Sequence, residues 1–287
     1  MPPEAQAEAV LPTFAELQRD LPLKSPRAWR YGALGLGSRA GALVSEGLRV
    51  GYAHGFDSGP FMAHVYANRP AGRTALGRRI DGRLLSRRTC VAFREIRELA
   101  RQAVLDAIDA QGGEAPVIAD LAAGPAPYLL EAIATRPEAT AVVCDIDPVA
   151  LAQAEAAARR LGVADRVRTL RADTFDRDAL RALEPRPDVV IELGLYGIYH
   201  DDGLIERHFQ DLAELVAPRQ IVLNVQTQNP EIEYIARVWR DHRGERCVWR
   251  LRSAERLLGW AAAAGYAPRT VAADSEGIYR VARLERA

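Results

Sequence analysis

Val117-Ile-Ala-Asp120-Leu-Ala-Ala-Gly124-Pro-Ala-Pro-Tyr128 decides the fold of this 287-residue chain. A short apolar run ends in an acid, passes a glycine and proline turn, and gives way to a helix from Pro127 to about Ala134. A strand delivered straight into a helix opens a β-α-β unit. The pattern repeats downstream. Ala141-Val-Val-Cys-Asp145 precedes a helix from Pro148 to Leu161, and Val167–Arg171 forms a third strand. Asp188-Val-Val-Ile-Glu-Leu is a fourth after a short helix, and a helix from Gly203 to Val216 leads into Gln220-Ile-Val-Leu-Asn-Val. Continuous apolar strands between helices need cover on both faces. The expected fold class is therefore α/β, a doubly wound and mostly parallel sheet. After a helix from Ser253 to Ala264, the segments Ala267–Ala272 and Ile278–Leu284 are joined by a short turn. That turn is too short for a parallel crossover, so an antiparallel terminal hairpin is expected.

Residues 1–112 have a different texture and read as a helical N-terminal extension, a lid on the α/β domain of residues 113–287. Thr13 caps a short helix from Phe14, and a glycine-interrupted helix is expected over Ser38–Gly51. Ser58 caps a helix to Tyr66 and Ala67, which Pro70 and Gly72 terminate. Thr74–Leu85 and Val91–Ala110 complete the set, the last with Val91, Ile96, Leu99, Val104 and Ile108 at helical spacing. This extension is also where a homodimer contact is expected.

Composition excludes several classes. Acids and bases balance at 38 each, which gives no electrostatic reason for nucleic acid or anionic membrane as partner, one arginine cluster from Arg78-Arg79 to Arg87-Arg88 aside. Lys24 is the sole lysine. There is thus no Gly-Lys-Ser/Thr phosphate loop, and no Schiff-base lysine other than Lys24 itself. Hydrophobic residues make up 48%, enough for a full core, yet no apolar run reaches membrane-spanning length. The first residues show no signal-peptide pattern. Cys90, Cys144 and Cys247 are odd in number and far apart, so no disulfide framework is expected and a reducing cytoplasm is the natural compartment. His54, His64, His208 and His242 are scattered, with no metal spacing.

In an open doubly wound sheet, ligands bind at the carboxyl ends of the strands. After the first strand, Gly124 lets the backbone pass close to a ligand, and Ala122, Ala123 and Ala126 keep the turn open. Ala126 and Leu129 stand where a dinucleotide fingerprint would place its later glycines, so a ligand without phosphate suits the loop better. The second strand ends in Asp145-Ile146-Asp147-Pro148, about 20 residues past the glycine, where a carboxylate can accept both hydroxyls of a ribose. Asp147 is the expected N-cap before Pro148. In Ala172-Asp173-Thr174-Phe175, Asp173 can accept from an adenine amino group and Phe175 can pack on its ring. Together the three loops suit an adenosine.

With those residues in place, the order Asp120-x-Ala122-x-Gly124, Asp145, then Ala-Asp173-Thr174-Phe175 resembles the class I S-adenosylmethionine-dependent methyltransferases, as does the terminal hairpin. A narrower likeness lies in Asp57-Ser-Gly, Val65-Tyr66-Ala-Asn68-Arg-Pro70-Ala-Gly72 and Gly77-Arg-Arg-Ile-Asp81. With Leu121–Tyr128, Gly194-Leu-Tyr196 and Arg250–Ser253, these resemble a methyltransferase family often joined to α/β-hydrolase domains. No Gly-x-Ser-x-Gly elbow occurs here, and Pro125-Ala-Pro127 departs from the usual polar motif. The resemblance implies a Rossmann-like sheet with S-adenosylmethionine as cofactor. It places Asp120, Ala122, Gly124, Pro125, Tyr128, Asp145, Ile146, Asp173, Thr174, Phe175, Glu192 and Gly194 around it.

The loop from Glu192 to Asp202 supplies Tyr196, Tyr199 and His200. Aromatic faces attract sulfonium cations. Tyr196 is the first candidate to face that cation and Tyr66 the second. His200 is either a general base oriented by Asp201, or the lead-in to a capped helix. Asn224 and Gln226 can contact substrate from the end of strand five. Methyl transfer to a small-molecule acceptor in specialised metabolism is the leading expectation. The alternative keeps S-adenosylmethionine as the only substrate. Stand-alone proteins similar to this family cyclise it to azetidine-2-carboxylate with release of methylthioadenosine, and an aromatic lid of Tyr52, Phe56, Phe61 and Tyr66 suits that. A non-catalytic S-adenosylmethionine-binding or scaffold protein is the third.

Overall fold

The computed structural model describes residues 11–112 and 114–287; the opening residues read for a signal peptide lie outside them. Seven strands form one sheet: β1 (Val117–Asp120), β2 (Thr140–Asp145), β3 (Val167–Arg171), β4 (Val189–Glu192), β5 (Gln220–Gln226), β6 (Tyr266–Ala273) and β7 (Tyr279–Arg286). Their order is β3-β2-β1-β4-β5-β7-β6. The first five run parallel, and β7 is antiparallel to both β5 and β6, so the expected fold class and hairpin are both present. Strand order reverses between β1 and β4, which opens a crevice at their carboxyl ends.

The sheet buries both faces, as its apolar strands require. On β5, Val222 packs into one hydrophobic cluster while Ile221, Leu223 and Val225 pack into the other. The first cluster takes side chains from α6 (Arg88–Asp109), α7 (Pro127–Thr135) and α8 (Pro148–Leu161). The second takes them from α9 (Arg177–Arg181), α10 (Asp202–Asp211) and α12 (Ala254–Ala263). Among the described residues no helix is long and apolar enough to cross a membrane.

The extension comprises α1 (Phe14–Gln18), α2 (Pro26–Gly41), α3 (Glu46–His54), α4 (Gly59–Ala67), α5 (Ala75–Leu85) and α6. Its starts follow the capping residues. Thr13 and Glu16 form a reciprocal capping box, Ser58 accepts from the Phe61 N–H, and Thr74 accepts from that of Gly77. The helix expected over Ser38–Gly51 is instead two. Ser25 and Pro26 start α2 well upstream, and a turn at residues 42–45 separates it from α3, which Ser45 caps. Tertiary contact fixes that break. Asp81 is fully buried and accepts from the Ser45 hydroxyl, the Gly47 and Ala71 N–H groups, and His64 Nε2 at 2.6–2.9 Å. One carboxylate therefore ties α3, α4 and α5 together.

The extension and the sheet share one core. Phe56 stacks on Trp239 at 4.8 Å and 10°, and Phe61 meets the same indole edge-on at 5.7 Å. Trp239 directly follows α11 (Ile232–Val238), a helix that periodicity did not single out. Where a dimer contact is expected, α2 leaves Trp29 and Leu36 exposed seven residues apart, with Leu43 exposed a further seven beyond, just past its end.

Candidate functional site

A cleft of about 490 Å³ opens at the carboxyl ends of β1, β2, β4 and β5, roofed by α4 and α6. Its floor is the turn from Ala122 to Pro127. Gly124 and Ala126 both adopt left-handed backbone, with φ of 54° and 45°. For alanine that conformation costs roughly 1 kcal/mol, so the surrounding turn must enforce it. Space above the Gly124 Cα is open, while its N–H donates to Asp145 Oδ2 at 2.7 Å. The other Asp145 oxygen accepts from the Asp147 N–H at 2.8 Å, and Asp147 caps α8 as expected. Asp145 thus braces two loops and still lines the cleft beside Ile146.

Most of the residues picked out in sequence meet here. Ala122, Gly124, Pro125, Tyr128, Asp145 and Ile146 line the cleft, as do Asp173, Thr174 and Gly194. Tyr66 reaches it from α4, with burial raising its hydroxyl pKa. On β5, Asn224 and Gln226 are 3% and 5% exposed. Asn224 Oδ1 accepts from the Gly194 N–H at 2.8 Å, and its Nδ2, like Gln226 Nε2, is buried without a protein partner. Buried amide donors left open in a cleft await a ligand or water.

Five candidates do not line it. Tyr196 is core: it is 2% exposed, stacks on Phe209 at 5.5 Å and donates its hydroxyl to Glu192. Three residues on, Tyr199 lines the cleft in its place, because the turn after β4 carries the chain round. His200 donates Nε2–H to the Val248 carbonyl at 2.7 Å, so that nitrogen cannot act as a base. Asp201 caps α10, the second of the two readings. Phe175 packs between Tyr199 and His208 at 4.5 and 4.8 Å. Glu192 and Asp120, the last residues of β4 and β1, are fully buried below the cleft. Of the four lid aromatics only Tyr66 reaches the cleft; Phe56 and Phe61 are packing.

Asp120 acts through a neighbour. Its Oδ2 accepts from the Tyr128 hydroxyl at 2.5 Å, holding a ring that does line the cleft. Burial pushes the Asp120 carboxyl from 3.8 up to about 8, against the smaller downward pull of Tyr128. The folded chain therefore keeps a proton that the unfolded chain releases near 3.8. This contribution is full below that value and is lost as pH rises through about 8. The melting temperature is expected to fall as pH is raised through 5–8, with a flatter profile for Asp120→Asn by differential scanning fluorimetry. Parallel profiles would remove Asp120 as the cause.

Sequence reading missed the groups brought in from far along the chain. Phe93, Trp249 and Tyr279 wall the cleft together, with Phe93 6.1 Å from Trp249 and 5.9 Å from Tyr279. Asp57, 5% exposed at the side chain, accepts from His242 Nδ1 at 2.9 Å, and both line the mouth. They are 185 residues apart, so no local spacing signals the pair.

The sequence model of a family described as "Putative methyltransferase" matches residues 4–286. The chain belongs to that family. It is 33% identical over 252 residues to the uncharacterized protein YnbC of Escherichia coli (strain K12), which covers 84% of this chain. The chain spans only 42% of that relative's length. Among solved structures, a possible exported protein from Bordetella parapertussis shares the fold with a TM-score of 0.66 at 17% identity, over 92% of this chain and 99% of the other. Magnesium protoporphyrin IX methyltransferase from Synechocystis PCC 6803, with bound SAH, gives 0.56 at 12%, over 82% and 98%. The apo S-adenosylmethionine-dependent methyltransferase SibL gives 0.54 at 16%, over 92% and 72%. The fold of this family member is thus that of the class I methyltransferases.

Proposed function

We propose that this chain is an S-adenosylmethionine-dependent methyltransferase acting on a small molecule. The observation that carries the reading is one cleft holding Gly124, Asp145 and Asp173 on the nucleoside side and the open amide donors of Asn224 and Gln226 on the other. The cleft residues fit the cofactor. Asp145 has lone pairs for two ribose hydroxyls, Asp173 for an adenine amino group, and Gly124 leaves room for close approach. The aromatic faces of Tyr66, Phe93, Tyr199 and Trp249 suit a sulfonium and exclude water from it.

When bound, the cofactor supplies an electrophilic methyl whose bonding electrons stay on sulfur. The chain's own task is to align the acceptor and take up its proton. Asn224 and Gln226 offer donors that orient an acceptor's oxygen or nitrogen lone pair. Asp57 occupies His242 Nδ1, which leaves Nε2 as the nitrogen that accepts a proton. Three buried, unpaired cysteines suit a reducing compartment such as the cytoplasm.

Cyclisation of S-adenosylmethionine is the second reading, favoured by the aromatic wall. Incubating the purified protein with S-adenosylmethionine separates the two. Methyl transfer is expected to yield S-adenosylhomocysteine only when an acceptor is added. Methylthioadenosine formed without any acceptor would replace this reading by cyclisation, and binding without turnover would leave a scaffold protein.

A further inference from the structure

From Ala123 to Pro127 the turn after β1 leaves no free backbone N–H for a carboxylate. Pro125 and Pro127 carry no N–H. The Ala123 and Ala126 N–H groups are spent on the Cys144 and Ala123 carbonyls, both at 3.0 Å, and that of Gly124 on Asp145. The surroundings are also acidic, since Asp57, Asp145, Asp147 and Asp173 line the cleft. Among the described residues lining it, Arg97 is the sole arginine or lysine. It comes from α6 in the helical extension, and Glu131, one turn into α7, accepts from its Nη2. That pair holds the guanidinium beside the start of α7, where the turn after β1 ends. Its carbon lies 5.5 Å from the Tyr66 ring centre, and its Nε is buried with no partner. A buried charged donor without an acceptor is costly unless a ligand completes it.

We propose that Arg97 binds the α-carboxylate of the methionine moiety of S-adenosylmethionine, Nε–H donating to the carboxylate. This rests on the cofactor reading above and extends it. Recognition is then divided, with the sheet loops holding the nucleoside and the extension holding the amino-acid end. The extension is part of the cofactor site as well as its roof, and a ligand without the carboxylate does not engage it.

Calorimetry with S-adenosylhomocysteine and with 5′-methylthioadenosine, which lacks the amino acid, tests this. The wild type is expected to prefer S-adenosylhomocysteine, and Arg97→Gln to weaken that ligand by about 30-fold while leaving methylthioadenosine within about twofold. Arg97→Lys is expected to restore part of the loss. Glu131→Gln removes the charge but keeps an oxygen to accept from Arg97 Nη2, so the guanidinium stays placed and the preference is expected to be retained. Equal weakening of both ligands in Arg97→Gln, or loss of the preference in Glu131→Gln as well, would make Arg97 a packing residue and overturn the proposal alone. A folded wild type that binds neither ligand would overturn the cofactor reading, and this proposal with it.

Discussion

Asp145→Ala is expected to lower affinity for S-adenosylhomocysteine by about 100-fold or more, read by calorimetry. Two effects combine. The first is direct: on the proposed reading the carboxylate accepts two ribose hydroxyls, and hydrogen bonds to a charged group contribute about 1.5–3 kcal/mol each. The second is preorganisation. The same carboxylate fixes the Gly124 N–H at 2.7 Å and the Asp147 N–H at 2.8 Å, so alanine frees both the turn after β1 and the start of α8. Asp145→Asn is expected to lose less than Asp145→Ala, since its one remaining oxygen can still brace one loop. Wild-type affinity in Asp145→Ala would remove the residue from the ribose role.

Glu192→Ala is expected to be the most destabilising single change near the cleft. Glu192 is fully buried and collects three partners from three elements: the Tyr196 hydroxyl, His208 Nε2 on α10, and the Thr174 hydroxyl at 3.2 Å. Alanine leaves all three buried without an acceptor, at about 1–3 kcal/mol each, and opens a cavity besides. A loss of roughly 3–6 kcal/mol corresponds to a melting temperature lower by about 5–10 °C in a chain of this size. Thr174 lines the cleft, so the same change is expected to weaken ligand binding. A melting point within about 2 °C of wild type would show that water takes over the acceptor role. Tyr196→Phe removes one of the three partners and is expected to cost correspondingly less, with the cleft unaltered because that ring does not reach it.

The sheet was legible because its signal is local. β1, β2, β4 and β5 are apolar runs bounded by turns, and the helices that follow carry their own cap or proline, as at Asp147-Pro148. The loops at the strand ends were legible for the same reason, since a residue just past a strand is placed by that strand. Misreadings began where placement depended on a neighbour. Tyr196 and Tyr199 sit in one turn, and only the packing of Phe209 against the first shows which ring turns inward. The break between α2 and α3 is set by Asp81, which is 36 residues beyond the Ser45 it holds.

Local sequence pattern carries the fold class, the terminal hairpin and the strand-end loops that line the cleft. The absence of a phosphate-loop lysine and of the dinucleotide glycines also narrows the class of ligand. Which of those side chains face the cleft, and what closes it, depends on contacts between distant segments. The Asp57–His242 pair, the open amides of Asn224 and Gln226, and Arg97 come from segments that touch only after folding. Periodicity records which face of an element is apolar, whereas a site is assembled from the polar residues of several elements. Their convergence is a property of packing.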